Sequence, residues 1–326
     1  MSDRPLTDKI SSLLLGLAVG DALGVPVEFR PRGSFRVDGM RGYGSHNQPP
    51  GTWSDDTSLA LCLADSLSRG FAPDDMARNF IQWRDEGAFT ANGEVFDIGI
   101  STEKAISRLT AGVTPEKAGC AGVNENGNGS LMRIAPLVFY LNGRPEAERF
   151  NATRAASSIT HAHPWSVAAC FIYLEYLLKL LNGRDKVNAY TGLRHEFRPG
   201  NPHIGDDVLG KFSRILEADI SAQPESGIRS GGFVIDTLEA AFWCFLTTDS
   251  YRDAVLKAVN LGDDTDTTAA VTGALAGLCY GVEGIPSDWL ETLAGRGGIL
   301  RQAGAMAGSL AVANTNTYSY LPGRPR

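Results

Sequence analysis

The sequence has few cysteines, no excess of positive charge and no obvious membrane-spanning run. Its cysteines are isolated and lie mostly among apolar neighbours: Cys62, Cys120, Cys170, Cys244 and Cys279. None has the CxxC spacing of a thiolate zinc site, so the pattern disfavours both a disulfide framework and a cysteine-ligated zinc. Buried, reduced thiols are typical of a cytoplasmic protein, and that is the location we expect.

The charge balance is acidic, with a formal net charge of −7. Proteins that bind nucleic acid or anionic lipid over a wide area need clustered lysine and arginine. We therefore expect no extended nucleic-acid surface, although a local basic pocket is compatible with this composition.

Apolar runs are short. The longest stretch that we identify, residues 269–282, is shorter than the roughly 20 residues that cross a bilayer, and aspartates precede it directly. The first residues do not have the architecture of a signal peptide. We expect a core helix at 269–282 and no membrane association.

Helical periodicity dominates the chain, whereas strand-like alternation is scarce. Ile10, Leu13, Leu14 and Leu17 mark the first helix, and hydrophobic residues make up 43% of the 326 residues, which is enough for one large core. Further helices are predicted near Pro73, Gly99, Pro115, Ser130, Glu146 and Pro164, and at about Asp206–Leu216, Phe233–Leu246, Tyr251–Asn260, Thr265–Tyr280 and Ser287–Leu293. Residues 182–207 are polar and predict a surface excursion.

Small residues indicate where helices approach each other closely. Gly16 and Gly20 offer a small surface on the first helix, and Gly273, Gly277 and Gly281 are spaced to form a ridge on a later one. In a chain of this composition, we expect these glycines to let two core helices pack closely, and not to mediate the pairing of helices within a membrane.

Two acidic segments, Ser54-Asp55-Asp56-Thr57 and residues 263–268, stand directly before apolar helical patterns. Helix capping explains either segment alone, because serine and aspartate side chains accept hydrogen bonds from the free N–H groups there. Three aspartates within four residues of the second segment repel one another, however, and a bound cation would relieve that repulsion. Carboxylate and hydroxyl ligands favour Mg²⁺, Mn²⁺ or Ca²⁺ over zinc.

We therefore predict that the two segments converge around a cation. The predicted ligands are Ser54, Asp55, Asp56, Asp264, Asp266 and Thr267. An EF-hand is excluded, because counting Asp264 as position one puts Ala269 and Leu275 where the turn glycine and the bidentate glutamate belong.

Other segments are ambiguous on their own. Residues 126–130, Asn-Gly-Asn-Gly-Ser, precede an apolar run and fit either a phosphate cradle or a plain turn, since they lack the GK[ST] of a P-loop. His161 lies in a His-Ala-His-Pro segment that fits a substrate contact or a helix-entry turn. Glu28 and Asp97 are carboxylates in apolar segments, where scaffolding is commoner than catalysis.

Together these motifs resemble one family, the ADP-ribosylglycohydrolases of the type that reactivates dinitrogenase reductase. In chain order they are residues 20–24 with Glu28, then residues 54–57, 96–99, 127–133, 160–164 and 262–267. The resemblance implies an all-α fold, a single compact orthogonal helical bundle with a central cleft that holds two Mg²⁺ or Mn²⁺ ions. The domain would span residues 1–313, followed by a polar C-terminal tail at 314–326.

The resemblance also implies roles for individual residues. It makes the predicted cation ligands the ligands of the two metal ions. The residues that it places against the substrate are Gly99, Gly127, Asn128, Gly129, Ser130, Met132, His161 and Phe233. Phe233 stands where the family commonly has a tyrosine that stacks on adenine, so the ring face is kept and a hydroxyl is lost.

The implied reaction is hydrolysis of the glycosidic bond between ADP-ribose and a modified acceptor, with protein arginine first among the acceptors. Glu28 or Asp97 would move the proton, and we slightly favour Glu28. Serine-, nucleic-acid- or small-molecule-linked ADP-ribose are alternative substrates. Two other functions stay open, a two-metal phosphoesterase and an inactive ADP-ribose-binding relative. The expected partner is an ADP-ribosylated protein or another ADP-ribose conjugate, and we expect a monomer.

Overall fold

The computed structural model describes residues 4–318, and of residues 313–318 it gives the backbone. The α-helices are α1 (Leu6–Gly24), α2 (Asp55–Leu67), α3 (Pro73–Glu86), α4 (Ile100–Thr110), α5 (Pro115–Ala118), α6 (Leu137–Leu141), α7 (Glu146–Ser158), α8 (Pro164–Leu181), α9 (Lys186–Glu196), α10 (Asp206–Leu209), α11 (Ser213–Leu216), α12 (Val234–Leu246), α13 (Tyr251–Val259), α14 (Thr265–Tyr280), α15 (Ser287–Thr292) and α16 (Arg296–Tyr318). Short 3-10 helices lie at Val25–Val27, Gly44–His46, Gly210–Phe212, Ile220–Ala222, Glu225–Gly227 and Val282–Gly284.

The predicted all-α fold is confirmed, since residues 4–318 form helices and only isolated β-bridges. Some helix predictions were wrong. No helix begins near Ser130, the polar excursion at 182–207 contains α9, and α16 was not predicted. The helix expected at Asp206–Leu216 is divided into α10, a 3-10 turn and α11. Of the expected tail at 314–326, residues 314–318 continue α16, and residues 319–326 lie outside the described residues.

Helices α1 and α14 form the centre of the fold and run antiparallel in close contact. A Cβ atom added at Gly16 would lie 2.4 Å from the carbonyl oxygen of Gly273, and one added at Gly20 would lie 2.2 Å from the carbonyl oxygen of Ala269. Only glycine allows this approach of one backbone to the other. The C-terminal end of α1 is thereby held beside the start of α14, which carries the second aspartate segment.

Gly24, the last residue of α1, makes a similarly close contact, and it gives a prediction about stability. A Cβ at this position would lie 2.3 Å from the backbone N and Cα of Asp266. We expect Gly24→Ala to lower the free energy of unfolding by about 1–3 kcal/mol, because the backbone must shift to admit the methyl group. Urea denaturation measures this change.

The matched control is Gly304→Ala in α16, where nothing lies within 4 Å of an added Cβ. An exposed helical alanine at this site should stabilise the protein by up to about 1 kcal/mol. Equal effects of the two substitutions on the denaturation midpoint would contradict the close packing of α1 on α14.

Two helical segments, Leu6–Val27 and Pro164–Leu181, are long and apolar enough to cross a membrane. Both segments are longer than the apolar stretch at 269–282, but charged residues such as Asp21 and Glu175 interrupt them. In the fold, residues 10–27 of the first segment and 78% of the second segment are buried. Their apolar side chains contribute to the core that surrounds α14.

Candidate active site

The structure brings the two aspartate segments together at one end of the α1–α14 pair. Thr267 at the start of α14 donates a hydrogen bond from Oγ1 to Oδ2 of Asp56 in α2, at 3.3 Å. Carboxylate oxygens of Asp21, Asp56 and Asp266 lie within 4.8 Å of one another, and those of Glu28, Asp264 and Asp266 do likewise. Residues from opposite ends of the chain therefore form a single acidic centre.

Asp21, on the last turn of α1, fixes the first aspartate segment in place. Its carboxylate accepts hydrogen bonds from the backbone N–H groups of Ser54, at 2.9 Å, and Thr57, at 3.0 Å, and from the Thr57 hydroxyl, at 2.6 Å. Burial raises the pKa of Asp21 to about 6, against the lowering effect of these hydrogen bonds. Asp21 is not among the site residues that the sequence predicts, although a carboxylate in an apolar helix is a signal for a functional role.

The acidic centre has the character of a cation site. Oδ1 of Asp56, Oδ1 of Asp264 and Oδ2 of Asp266 are buried without a hydrogen-bond partner. Among the ion pairs of the described residues, no lysine or arginine contacts any of these three side chains. A buried anionic oxygen without a partner is costly, and several that face one region fit a hard divalent ion with oxygen ligands.

The pKa shifts of these acids agree with that interpretation. Burial raises the pKa of Asp55, Asp56 and Asp266 well above the ordinary value, and the neighbouring carboxylates raise it further. The pKa of Asp264 is raised as well, chiefly by burial, while a hydrogen bond from Asn128 opposes the change. A divalent cation would favour the charged form of all four groups.

Glu28 is buried next to the acidic centre and is paired with His46. The Nε2 atom of His46 is hydrogen-bonded to Oε2 of Glu28, and the Ser45 hydroxyl donates to the backbone carbonyl of Glu28 at 2.6 Å. Burial raises the pKa of Glu28 to about 7, while the hydrogen bond from His46 lowers it and the charge of Asp97 raises it. Glu28 thus has the acidity expected of a group that exchanges protons near neutral pH.

His46 was not predicted as a site residue. It lies in the Gly- and Pro-rich loop after α1, where the sequence has no helical or strand periodicity to place it. Three groups contact the imidazole of His46: the carboxylate of Glu28 and the rings of Phe29 and Phe96. The centroids of these two rings lie 5.9 and 5.3 Å from the centroid of the imidazole.

A cleft of about 550 Å³ opens over these residues. Eleven of the predicted site residues line it: Glu28, Asp55, Asp97, Gly99, Gly127, Asn128, Gly129, Met132, His161, Asp264 and Thr267. Ser54, Asp56 and Asp266 are buried and do not line it. The cleft therefore combines the acidic centre with the glycine-containing segment in one cavity, large enough for a small-molecule ligand.

The segment 127–130 is an irregular turn and not the start of a helix. The N–H of Asn128 donates to the carbonyl of Gly232 at 3.0 Å, so this amide is not free to hold a phosphate. Its side chain donates from Nδ2 to Oδ2 of Asp264 at 2.8 Å, which connects the turn to the acidic centre. The hydroxyl of Ser130 lies in the core, where the Ser157 hydroxyl donates to it at 3.0 Å.

The imidazole of His161 packs directly against this turn. A Cβ added at Gly129 would lie 2.8 Å from Cε1 of the imidazole, so the glycine is needed for the contact. Burial lowers the pKa of His161 to about 3, and the ring is therefore neutral. Beside it, the buried hydroxyl of Thr102 has no partner and lines the cleft, although the sequence did not single it out.

Phe233 lies outside the lining of the cleft but next to it. It forms an isolated β-bridge with Gly127, its side chain is 37% exposed, and its ring makes an edge contact with Trp165 at 6.3 Å. A ring at this place can flank a planar group that extends beyond the turn.

Comparisons with known proteins agree with this geometry. A family model described as ADP-ribosylglycohydrolase matches residues 2–317. The chain is 37% identical over 297 residues to "ADP-ribosylarginine hydrolase Tri1" of Serratia proteamaculans (strain 568), covering 88% of this chain and 75% of that protein. It is 31% identical over 306 residues to "ADP-ribosyl-[dinitrogen reductase] glycohydrolase" of Rhodospirillum rubrum, covering 90% and 92%.

A similar fold is known from a solved structure described as "ADP-ribosylglycohydrolase-related protein complex". It superposes with a TM-score of 0.79 at 35% sequence identity and covers 94% of this chain and 99% of that chain.

Proposed function

This chain belongs to the ADP-ribosylglycohydrolase family, a family of glycosidic-bond hydrolases, and we propose that it releases ADP-ribose from modified arginine. The convergence of the two aspartate segments in the cleft carries this proposal. The arginine acceptor is supported by the relatives at 37% identity, which are named ADP-ribosylarginine hydrolases.

We further propose that the acidic centre holds two ions, Mg²⁺ or Mn²⁺. The ligands would be Ser54, Asp55, Asp56, Asp264, Asp266 and Thr267, whose oxygens suit these hard cations. The unpartnered buried oxygens of Asp56, Asp264 and Asp266 support a bound cation here. When bound, the ions would act as Lewis acids that orient the ribose hydroxyls and acidify a water.

The remaining steps fall to side chains of the cleft. Glu28, held by His46, would exchange the proton between the attacking water and the departing nitrogen, and Asp97 lines the same cleft as the alternative group. The neutral imidazole of His161 and the hydroxyl of Thr102 would contact the diphosphate and its riboses. Phe233 would stack on adenine at the rim.

We also propose that the enzyme acts in the cytoplasm as a monomer. All five cysteines are free and buried, which is consistent with a reducing compartment.

The experiment that tests the function is a substrate panel. The protein is incubated with Mg²⁺ or Mn²⁺ and with arginine-, serine- and nucleic-acid-linked ADP-ribose, and the products are identified by mass. We expect intact ADP-ribose from the arginine conjugate, and none after the metal is chelated. Release of AMP would indicate a phosphoesterase instead, and absence of any product would indicate an ADP-ribose-binding protein without activity.

A further inference from the structure

Phe29 is an aromatic residue that is exposed at the cleft and has no assigned role. Its side chain is 69% exposed, although it follows directly on the buried Glu28 and lines the cleft. Large aromatic side chains are usually buried, and an exposed ring in a ligand cleft is commonly used for recognition.

The backbone at Phe29 is held in an unfavourable conformation. Its φ is 64°, in the left-handed region that residues other than glycine rarely adopt. Its N–H donates to the carbonyl of Asp263 at 2.7 Å, and the N–H of Asp263, itself at a φ of 58°, donates to the carbonyl of Arg30 at 2.9 Å. Such strain persists where the surrounding structure imposes it, and it is concentrated at ligand-binding sites.

Phe29 and the glycine-containing turn make different contacts with the second aspartate segment. The side chain of Asp264 accepts a hydrogen bond from Asn128 of the turn, whereas the backbone carbonyl of Asp263 accepts one from Phe29. Phe29 also contacts the ring of His46. The ring therefore lies beside the Glu28–His46 pair, in the cleft that also contains the acidic centre.

The charges of the cleft favour a cation. Asp97 and Glu28, which is paired with His46, line the cleft together with Phe29. Lys104 is the only lysine or arginine among the residues that line the cleft, and it is paired with Glu125 at 3.1 Å. A flat cation that carries hydrogen-bond donors at its edge can place its face on an aromatic ring and its donors on carboxylates, and a guanidinium has this shape.

We propose that Phe29 is a specificity-determining residue that packs its ring face against the guanidinium of the ADP-ribosylated arginine. The inference rests on the proposed function, because it takes the arginine conjugate as the substrate. Phe29 would contact the acceptor half of the substrate, the part that water displaces in the reaction. The ADP-ribose half would be held elsewhere in the cleft.

The test compares Phe29→Leu, which keeps apolar volume but removes the ring, with Phe29→Tyr, which keeps the ring. Each is assayed on an arginine-linked conjugate and on an ADP-ribose conjugate with an uncharged acceptor, and inhibition by free ADP-ribose is measured alongside. We expect Phe29→Leu to lower kcat/KM for the arginine conjugate by about tenfold, while Phe29→Tyr stays within about twofold of wild type. The uncharged conjugate and the inhibition by ADP-ribose should change less than about twofold in either variant.

The outcomes separate this inference from the proposed function. An equal loss on both conjugates, unchanged turnover of the arginine conjugate by Phe29→Leu, or weaker inhibition by ADP-ribose would overturn the role of Phe29 alone. A wild-type protein that does not cleave the arginine conjugate would overturn the proposed function and this inference with it.

Discussion

Asp264→Asn should reduce kcat/KM for an ADP-ribosylated arginine by about a thousandfold or more. The substitution keeps the size of the side chain but removes a charged ligand at the centre of the proposed metal site. Loss of Lewis-acid stabilisation amounts to several kcal/mol, and about 1.4 kcal/mol corresponds to a factor of ten in rate. Steady-state kinetics at saturating Mn²⁺ measures the effect.

The stability of the same variant separates lost catalysis from lost folding. Without metal, Asp264→Asn should unfold at the same temperature as wild type or higher, because one of several mutually repelling acids has been neutralised. The matched control is Asp263→Asn, which removes the exposed neighbouring carboxylate at a backbone conformation that asparagine tolerates. Turnover by Asp264→Asn within tenfold of this control would contradict the metal site.

Glu28→Gln should lower kcat by about 10²–10⁴-fold, the usual contribution of a positioned general acid or base. Glutamine can still accept a hydrogen bond from His46 and fills the same space, so the surrounding contacts are kept. Because the proposed role is proton transfer, the affinity for ADP-ribose should change little. Single-turnover kinetics and ADP-ribose titration measure the two quantities.

Asp97→Asn is the comparison for Glu28, since both carboxylates line the cleft and burial raises the pKa of both. Asp97 is less buried than Glu28 and has no side-chain hydrogen bond of the kind that Glu28 makes with His46. We expect the smaller loss of kcat at Asp97. A larger loss of kcat in Asp97→Asn than in Glu28→Gln would instead assign proton transfer to Asp97.

Much of the fold could be predicted from local patterns. The periodic apolar residues of the first helix and the apolar run after Thr265 predicted α1 and α14, and the small residues predicted that such helices pack closely. Gly281 does not belong to that ridge, because it ends α14 at a φ of 82°. The repulsion between neighbouring aspartates was also visible in the sequence, since it depends on spacing alone.

The remaining features depend on contacts between distant segments. Nothing near His46 indicates that its loop folds back onto Glu28, and Asp21 is recognised as an anchor only once α2 is placed beside α1. At 126–130 the sequence left a phosphate cradle and a plain turn open, and only the structure shows that the amide of Asn128 donates to the carbonyl of Gly232. The helix expected near Ser130 is absent, and the chain there forms turns until α6 begins at Leu137.

Crystals soaked in Mn²⁺ and measured at the manganese absorption edge give the most direct test of the acidic centre. We predict two anomalous peaks, both within about 2.6 Å of carboxylate oxygens from Asp55, Asp56, Asp264 and Asp266. Anomalous density elsewhere on the protein, with none between these four residues, would contradict the metal site and the chemistry proposed for the cleft.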